Sequence, residues 1–290
     1  MLKFGMSIAF TDTSEYCELA KAAEANGFHA VTVADHLIYP KTFSVPYPYT
    51  EDGVPRFAET DAFPDPWIAV ASMAAVTTTI NFYNNVFVLP TRNPVHAAKT
   101  LATAAVFSND RIAMGVGMGW MPEEFAASGQ PFKARGKRAD EMLDVMKKLW
   151  TGEMVEHHGE FYDFDPIRML PAPDKPIPVY IGGFSRPALR RAAKHDGWIA
   201  DLHTLAELEA LIEEMNGYRA EAGSLDKPFE MMSFSCVDAM DAEGHKRMAE
   251  MGITVATTMP AAVYGHGPHA PLDVKIDCIK RYADEVISKV

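Results

Sequence analysis

Three short stretches of the chain carry residue types that could do chemistry. In VTVADHL an acid, Asp35, and a histidine, His36, stand together at the end of an apolar run. A carboxylate beside an imidazole can orient the ring and set its charge for proton transfer near neutral pH. The same histidine could equally be an ordinary hydrogen-bonding residue at a strand end. In IGGFSRPALRRAA, Gly182 and Gly183 let a ligand approach the backbone, and Phe184 and Ser185 lead into a helix. Unpaired N–H groups and the positive dipole end at such a terminus suit an anion or phosphate, with Arg186, Arg190 and Arg191 nearby for charge. A tight turn capped by Ser185 is the structural alternative. In RIAMGVGMGWMPEEF, Gly115, Gly117 and Gly119 recur at every second residue and end on Trp120. This is neither G-x-G-x-x-G nor a P-loop. Period two places the glycines on one face of an extended strand and its exit, where they remove side chains so that something flat or bulky can approach. A wall for a ring and close packing inside a barrel both fit. Glu123 and Glu124 fall in the first turn of the next helix, where acids favour the dipole.

Other chemistries lack their residues. His157 and His158 are adjacent, His266 and His269 flank Gly267-Pro268, and Asp201 with His203 stands alone. None has zinc-ligand spacing, so no metal site is expected. There is no G-x-S-x-G elbow for a serine hydrolase.

The elements that must position these stretches alternate between β-like and helix-like patterns. Strands are predicted at residues 3–10, 30–34, 80–88, 112–116, 179–181, 198–200, 229–237 and 253–258. Between them lie amphipathic helices. Tyr16, Leu19, Ala20 and Ala23 share one face, with Asp12 and Glu15 as a capping box; Met142, Val145, Met146 and Leu149 share another. Helices are also predicted over residues 66–76, 94–107 after Asn93, and 185–194, and around Leu208, Leu211, Ile212 and Met215. Ile276, Ile279, Ala283 and Val286 mark the last one. Eight such pairs in 290 residues predict an α/β protein with a single (β/α)8 barrel domain over residues 1–290, its active site in the loops after the strands. Insertions at residues 37–65 after strand two and 157–178 after strand four are rich in aromatics and proline, which predicts packed lids; a dimer contact fits the first as well.

Composition narrows the partners. The net charge of -12 disfavours a sequence-independent grip on nucleic acid or an anionic membrane. Three scattered cysteines, Cys17, Cys236 and Cys278, suggest no disulfide framework and fit a reducing cytoplasm. No apolar run reaches the length of a membrane span and no export signal is evident, so a soluble protein acting on a small molecule is expected.

Taken together, VADH, FVLPTRNPVHAAKTLATAAVFSNDRIAMGVGMGWMPEEF, RGKRADEMLDVMKKLW, GEFYDF and IGGFSRPALRRAAKHDGW resemble the bacterial-luciferase-like superfamily, in its coenzyme F420-dependent oxidoreductase branch. The resemblance covers about two-thirds of the chain in consistent order. It implies a homodimer and a flavin or deazaflavin at the barrel mouth. The ring would lie over strand three against Asn84, Asn85 and Val86, with a cis peptide at Asn85–Val86, and beside Gly117 and Trp120. The phosphate tail would sit on Gly182, Gly183, Phe184 and Ser185, with His36 as the active-site histidine and Asp35 next to it. Two departures stand out. The chain has Phe82, Tyr83, Asn84 and Asn85 where the family commonly has a small LGT sequence, and Trp120 where its sugar-phosphate dehydrogenases have a proton-donating Glu. The resemblance thus implies hydride transfer between F420 and a small organic substrate. The alternative is a monooxygenase using reduced FMN from a separate flavin reductase; a non-catalytic flavin-binding barrel ranks below both.

Overall fold

A computed structural model describes residues 1–290. The elements in chain order are β1 (Lys3–Ser7), α1 (Tyr16–Ala25), β2 (Ala30–Val33), α2 (Pro66–Ala74), β3 (Asn81–Asn84), β4 (Phe87–Val88) and α3 (Pro94–Phe107). There follow β5 (Ile112–Gly117), α4 (Pro122–Ala127), α5 (Arg135–Leu149), β6 (Met154–His158), β7 (Asp163–Arg168), β8 (Val179–Gly182) and α6 (Arg186–Ala192). The last third holds β9 (Gly197–Ile199), α7 (Leu205–Glu221), β10 (Glu230–Phe234), α8 (Ala242–Glu250), β11 (Val255–Thr258), α9 (Pro260–Val263) and α10 (Leu272–Glu285).

All pairings around the main sheet are parallel, and the sheet closes. β3 pairs with β2 on one side and β5 on the other, and β4 also pairs with β5, so β3 and β4 are two halves of one stave. The result is a (β/α)8 barrel of eight staves. The strand expected unbroken over residues 80–88 is interrupted at Asn85 and Val86.

Side chains alternate across each stave because strand periodicity is two. Ala30, Tyr83, Ala113, Tyr180, Ile199, Met232 and Val255 fill the inside. Their neighbours Val31, Phe82, Met114, Ile181 and Trp198 join the outer core between sheet and helices. The helices bury one face each: on α5, Met142, Leu143, Val145, Met146 and Leu149 are all fully buried. Burial of a side chain of this kind stabilises by roughly 1.5–3 kcal/mol. Asn93 caps α3 through Val95 N–H and His96 N–H, and Asp65 caps α2 in the same way. Asp12 accepts from Ser14 N–H, but the expected reciprocal bond from Glu15 is not made, because Glu15 is drawn to Lys275.

The two insertions differ. Residues 37–65 lie over the barrel mouth. The second is not a lid: β6 and β7 form an antiparallel hairpin. Its turn is fastened to α5 by Glu141, which accepts from the N–H groups of Glu160, Phe161 and Tyr162. Lys99 of α3 and Lys148 of α5 grip its flanks, so it belongs to the outer helical layer. No helix is long and apolar enough to cross a membrane.

Candidate active site

At the broken stave the Asn85–Val86 peptide is cis, at the bond the family resemblance singles out. The surrounding glycines explain how this bulge fits. A Cβ on Gly115 would lie 1.9 Å from Asn84 O; on Gly117 it would meet Val86 Cγ2 at 2.5 Å, and on Gly182, Val86 Cγ1 at 2.5 Å. Gly119, at φ +75°, is crowded by Phe125 and Val88. Two staves, β5 and β8, are therefore stripped of side chains to admit the protein's own bulge, and Val86 is seated between Gly117 and Gly182. Close packing inside the barrel is the direct role of the glycine ladder; any flat ligand would meet the bulge rather than bare strand.

The parity of β2 separates Asp35 from His36. Asp35 continues the outward face of Val31 and Val33 and is buried beneath the helices. Its carboxylate takes both arms of Arg92, at 2.6 and 2.7 Å, and Val88 N–H at 2.8 Å. Arg92 also donates to Val88 O and lies 4.3 Å over the Phe87 ring. Burial pushes the Asp35 carboxyl up, while Arg92 and Val88 N–H favour its charged form. Asp35 thus ties down the chain just after the bulge. It neither orients His36 nor faces the mouth, in contrast to the expectation from the ADH sequence.

Glu124 is the acid that meets His36. Its Oε1 lies 3.2 Å from His36 Nδ1 and accepts Leu37 N–H at 2.6 Å. The carboxyl is fully buried, and its Oε2 has no partner. An ionised carboxylate only accepts, so Nδ1 carries the hydrogen and Nε2 is the nitrogen left for other chemistry. The neighbouring Glu123 accepts Ser44 N–H from the lid at 2.8 Å. The two acids therefore do more than complement a helix dipole. Neighbouring acids leave this unmarked in sequence, because contact with His36 spans 88 positions.

Aromatic rings close over the imidazole. Phe57 lies 4.9 Å from it, Phe63 5.1 Å and Trp120 6.3 Å, centroid to centroid. Trp120 is stacked on Phe43 at 5.6 Å and meets the edge of Tyr47 at 5.1 Å. Towards β8 the lid continues as Tyr49 against Phe184, and Phe184 against His203. Burial lowers the pKa of His203, favouring the neutral ring. Arg56 latches the lid to the exit of β9, gripping both oxygens of Asp201 at 2.9 and 2.8 Å and reaching Tyr49 O.

At the IGGFS turn Gly183 adopts φ +107°, and its carbonyl accepts Trp198 Nε1–H at 2.8 Å. Ser185 starts α6 without a side-chain cap bond. The three arginines are engaged elsewhere: Arg186 with Glu214, Arg190 over Tyr218 and Arg191 with Asp140. Inside the mouth, Thr32 Oγ1, Asn85 Nδ2 and Thr257 Oγ1 are buried without hydrogen-bond partners. Such groups are costly unless something pairs with them. The bulge, the cleared glycines and these polar atoms fit a flat heterocycle with a polar edge. No three His, Cys, Asp or Glu side chains converge as a metal site.

A barrel with this interrupted stave and a histidine at its mouth carries its candidate chemistry where barrel enzymes carry theirs. The profile of the luciferase-like monooxygenase family matches residues 5–286, and the chain belongs to that family. An uncharacterised protein of Mycobacterium tuberculosis is 39% identical over 290 residues, covering 100% of both chains. An F420-dependent glucose-6-phosphate dehydrogenase of Segniliparus rotundus is 31% identical over 75% of this chain and 63% of its own. An FMNH2-dependent dimethylsulfone monooxygenase of Pseudomonas putida is 32% identical over 60% of this chain and 49% of its own. The protein is accordingly an enzyme of the flavin- or deazaflavin-dependent oxidoreductase class.

Proposed function

We propose that the protein transfers a hydride between coenzyme F420 and a small organic substrate, with His36 as acid or base. The observation that carries this reading is the meeting of the Val86 bulge and the Glu124-held His36 at one mouth. Asn84, Asn85 and Val86 would back the ring, with Gly117 behind them giving Val86 its seat, Trp120 would flank it, and the unpartnered Asn85 Nδ2 would donate to its polar edge. Gly182, Gly183, Phe184 and the free Ser185 hydroxyl would hold the phosphate. When bound, the coenzyme supplies the hydride donor or acceptor. The protein's part is to hold the reacting atoms in line, keep Nε2 of His36 available for a proton, and exclude water beneath the lid.

The F420-using relative aligns over more of the chain than the FMNH2-using one, at nearly the same identity. The second reading keeps the same mouth for reduced FMN delivered by a separate reductase, with oxygen inserted into the substrate. A homodimer belongs to either reading: Val76, Val106 and Phe107 are exposed where the ends of α2 and α3 adjoin. Titration with F420 and FMN, each oxidised and reduced and followed by fluorescence, separates the two. Tight FMN binding without any response to F420 would sink the leading reading.

A further inference from the structure

We infer that the substrate is an uncharged, largely apolar molecule, such as an aryl or alkyl ketone or the matching alcohol, and not a phosphorylated or carboxylated one. This rests on the reading of the mouth as an oxidoreductase site and adds what that site selects. Phe57, Phe63 and Trp120 pack around the His36 imidazole, Phe57 tilted and the other two at nearly right angles to it. Phe57 and Phe63 also meet each other edge-on at 5.2 Å, so the rings beside the imidazole form one aromatic cluster.

One member of this cage is held there by an unusual backbone. Phe10, at the exit of β1, adopts φ +66° and sets its ring against the edge of Phe63 at 5.9 Å. Bulky L-residues avoid that region, and such conformations cluster at ligand-gripping sites.

Charge at the mouth points the same way. The guanidiniums nearest the cage are already paired. Arg56 is held by Asp201, and Arg135 donates to Gly119 O while stacking on Phe132. Behind the imidazole stands the buried carboxylate of Glu124. A phosphate or carboxylate entering the cage would lose its hydration, meet ring faces and be repelled by that charge. A neutral hydroxyl can donate to Nε2 of His36, and a neutral carbonyl can accept from Nε2 when the ring carries both protons.

The test compares molecules of one shape. Binding of acetophenone, 1-phenylethanol, 4-acetylbenzoate and glucose 6-phosphate is measured by saturation-transfer NMR on the wild-type protein, without coenzyme and with F420 or FMN. The expected result is at least tenfold tighter binding of the two neutral compounds than of 4-acetylbenzoate, and no saturation transfer to glucose 6-phosphate. Phe63→Arg should reverse the preference between acetophenone and 4-acetylbenzoate. Equal or tighter wild-type binding of either anion, or an unaltered ratio in folded Phe63→Arg, overturns the inference. The wild-type ratio decides the matter even if that variant does not fold. Coenzyme binding is read separately: failure of both coenzymes with the ratio intact removes the proposed function alone, and the converse removes the cage alone.

Discussion

Glu124 Oε1 touches both the imidazole and the chain beside it: it lies 3.2 Å from His36 Nδ1 and 2.6 Å from Leu37 N. One buried oxygen thereby fixes the ring's tautomer and the backbone that carries the ring. Glu124→Gln keeps an acceptor for Leu37 but offers His36 a neutral amide. Turnover should fall about 10- to 100-fold while coenzyme affinity changes by less than about threefold. Steady-state kinetics with a parallel fluorescence titration measures both, and an unchanged turnover number would remove Glu124 from the proton path.

Asp35 and Arg92 form a buried, bidentate pair that supports the bulge from behind. Breaking one side leaves a charge with no partner, so Asp35→Asn should cost about 3–5 kcal/mol in denaturant unfolding. The double change Asp35→Asn with Arg92→Leu should recover part of that loss. Additive losses would mean that the pair is not the coupled unit its geometry describes.

Val86 fills the space that Gly182 leaves open. Gly182→Ala should destabilise by about 1–3 kcal/mol through overpacking, and Val86→Ala in the same molecule should relieve much of it. Unfolding of the two single variants and the double variant gives the coupling directly.

Glu24 of α1 pins the turn before β3. Burial alone would raise its pKa, but N–H groups of Thr79, Ile80 and Thr78 donate to its carboxylate and bring it from 4.5 to about 2. A depressed carboxyl contributes stability that is complete above the unfolded value and disappears as pH falls through the folded one. The contribution should therefore fade between about pH 4.5 and 2. Allowing for solvent screening it amounts to roughly 1–2 kcal/mol. Glu24→Gln should flatten the acid limb of stability in that window; an unchanged limb refutes the assignment.

The Arg56–Asp201 latch is partly exposed, with side chains 31% and 18% accessible. Its loss should cost under about 1 kcal/mol of global stability yet loosen the lid. Arg56→Ala should speed limited proteolysis within residues 37–65 several-fold while leaving cleavage elsewhere unaltered. Equal rates at all sites would show that the aromatic contacts alone hold the lid.

Much of the architecture was legible because it is local. The alternation of short apolar runs with 3.6-period faces counts the eight units, and Asn93-Pro94 announces a helix start that Asn93 does cap. Motifs in order along the chain carried the family and placed the cis bond at Asn85–Val86. The second insertion has an aromatic and proline content that lids and hairpins share, so its composition predicts a lid; Glu141, holding the turn to α5, makes it a hairpin of the outer layer.

By itself the sequence determined the barrel, the family and the presence of His36 at a strand end. Tertiary structure decided which acid serves that histidine. Parity on β2 turns Asp35 outward to Arg92, and barrel closure brings Glu124 across from the end of another stave. It also decided what the glycines are for, since a missing Cβ has meaning only beside the Asn84 carbonyl and the Val86 methyls that occupy its place. Periodicity along one chain specifies directions of side chains, whereas contact between staves depends on closure of the sheet, which no local pattern encodes.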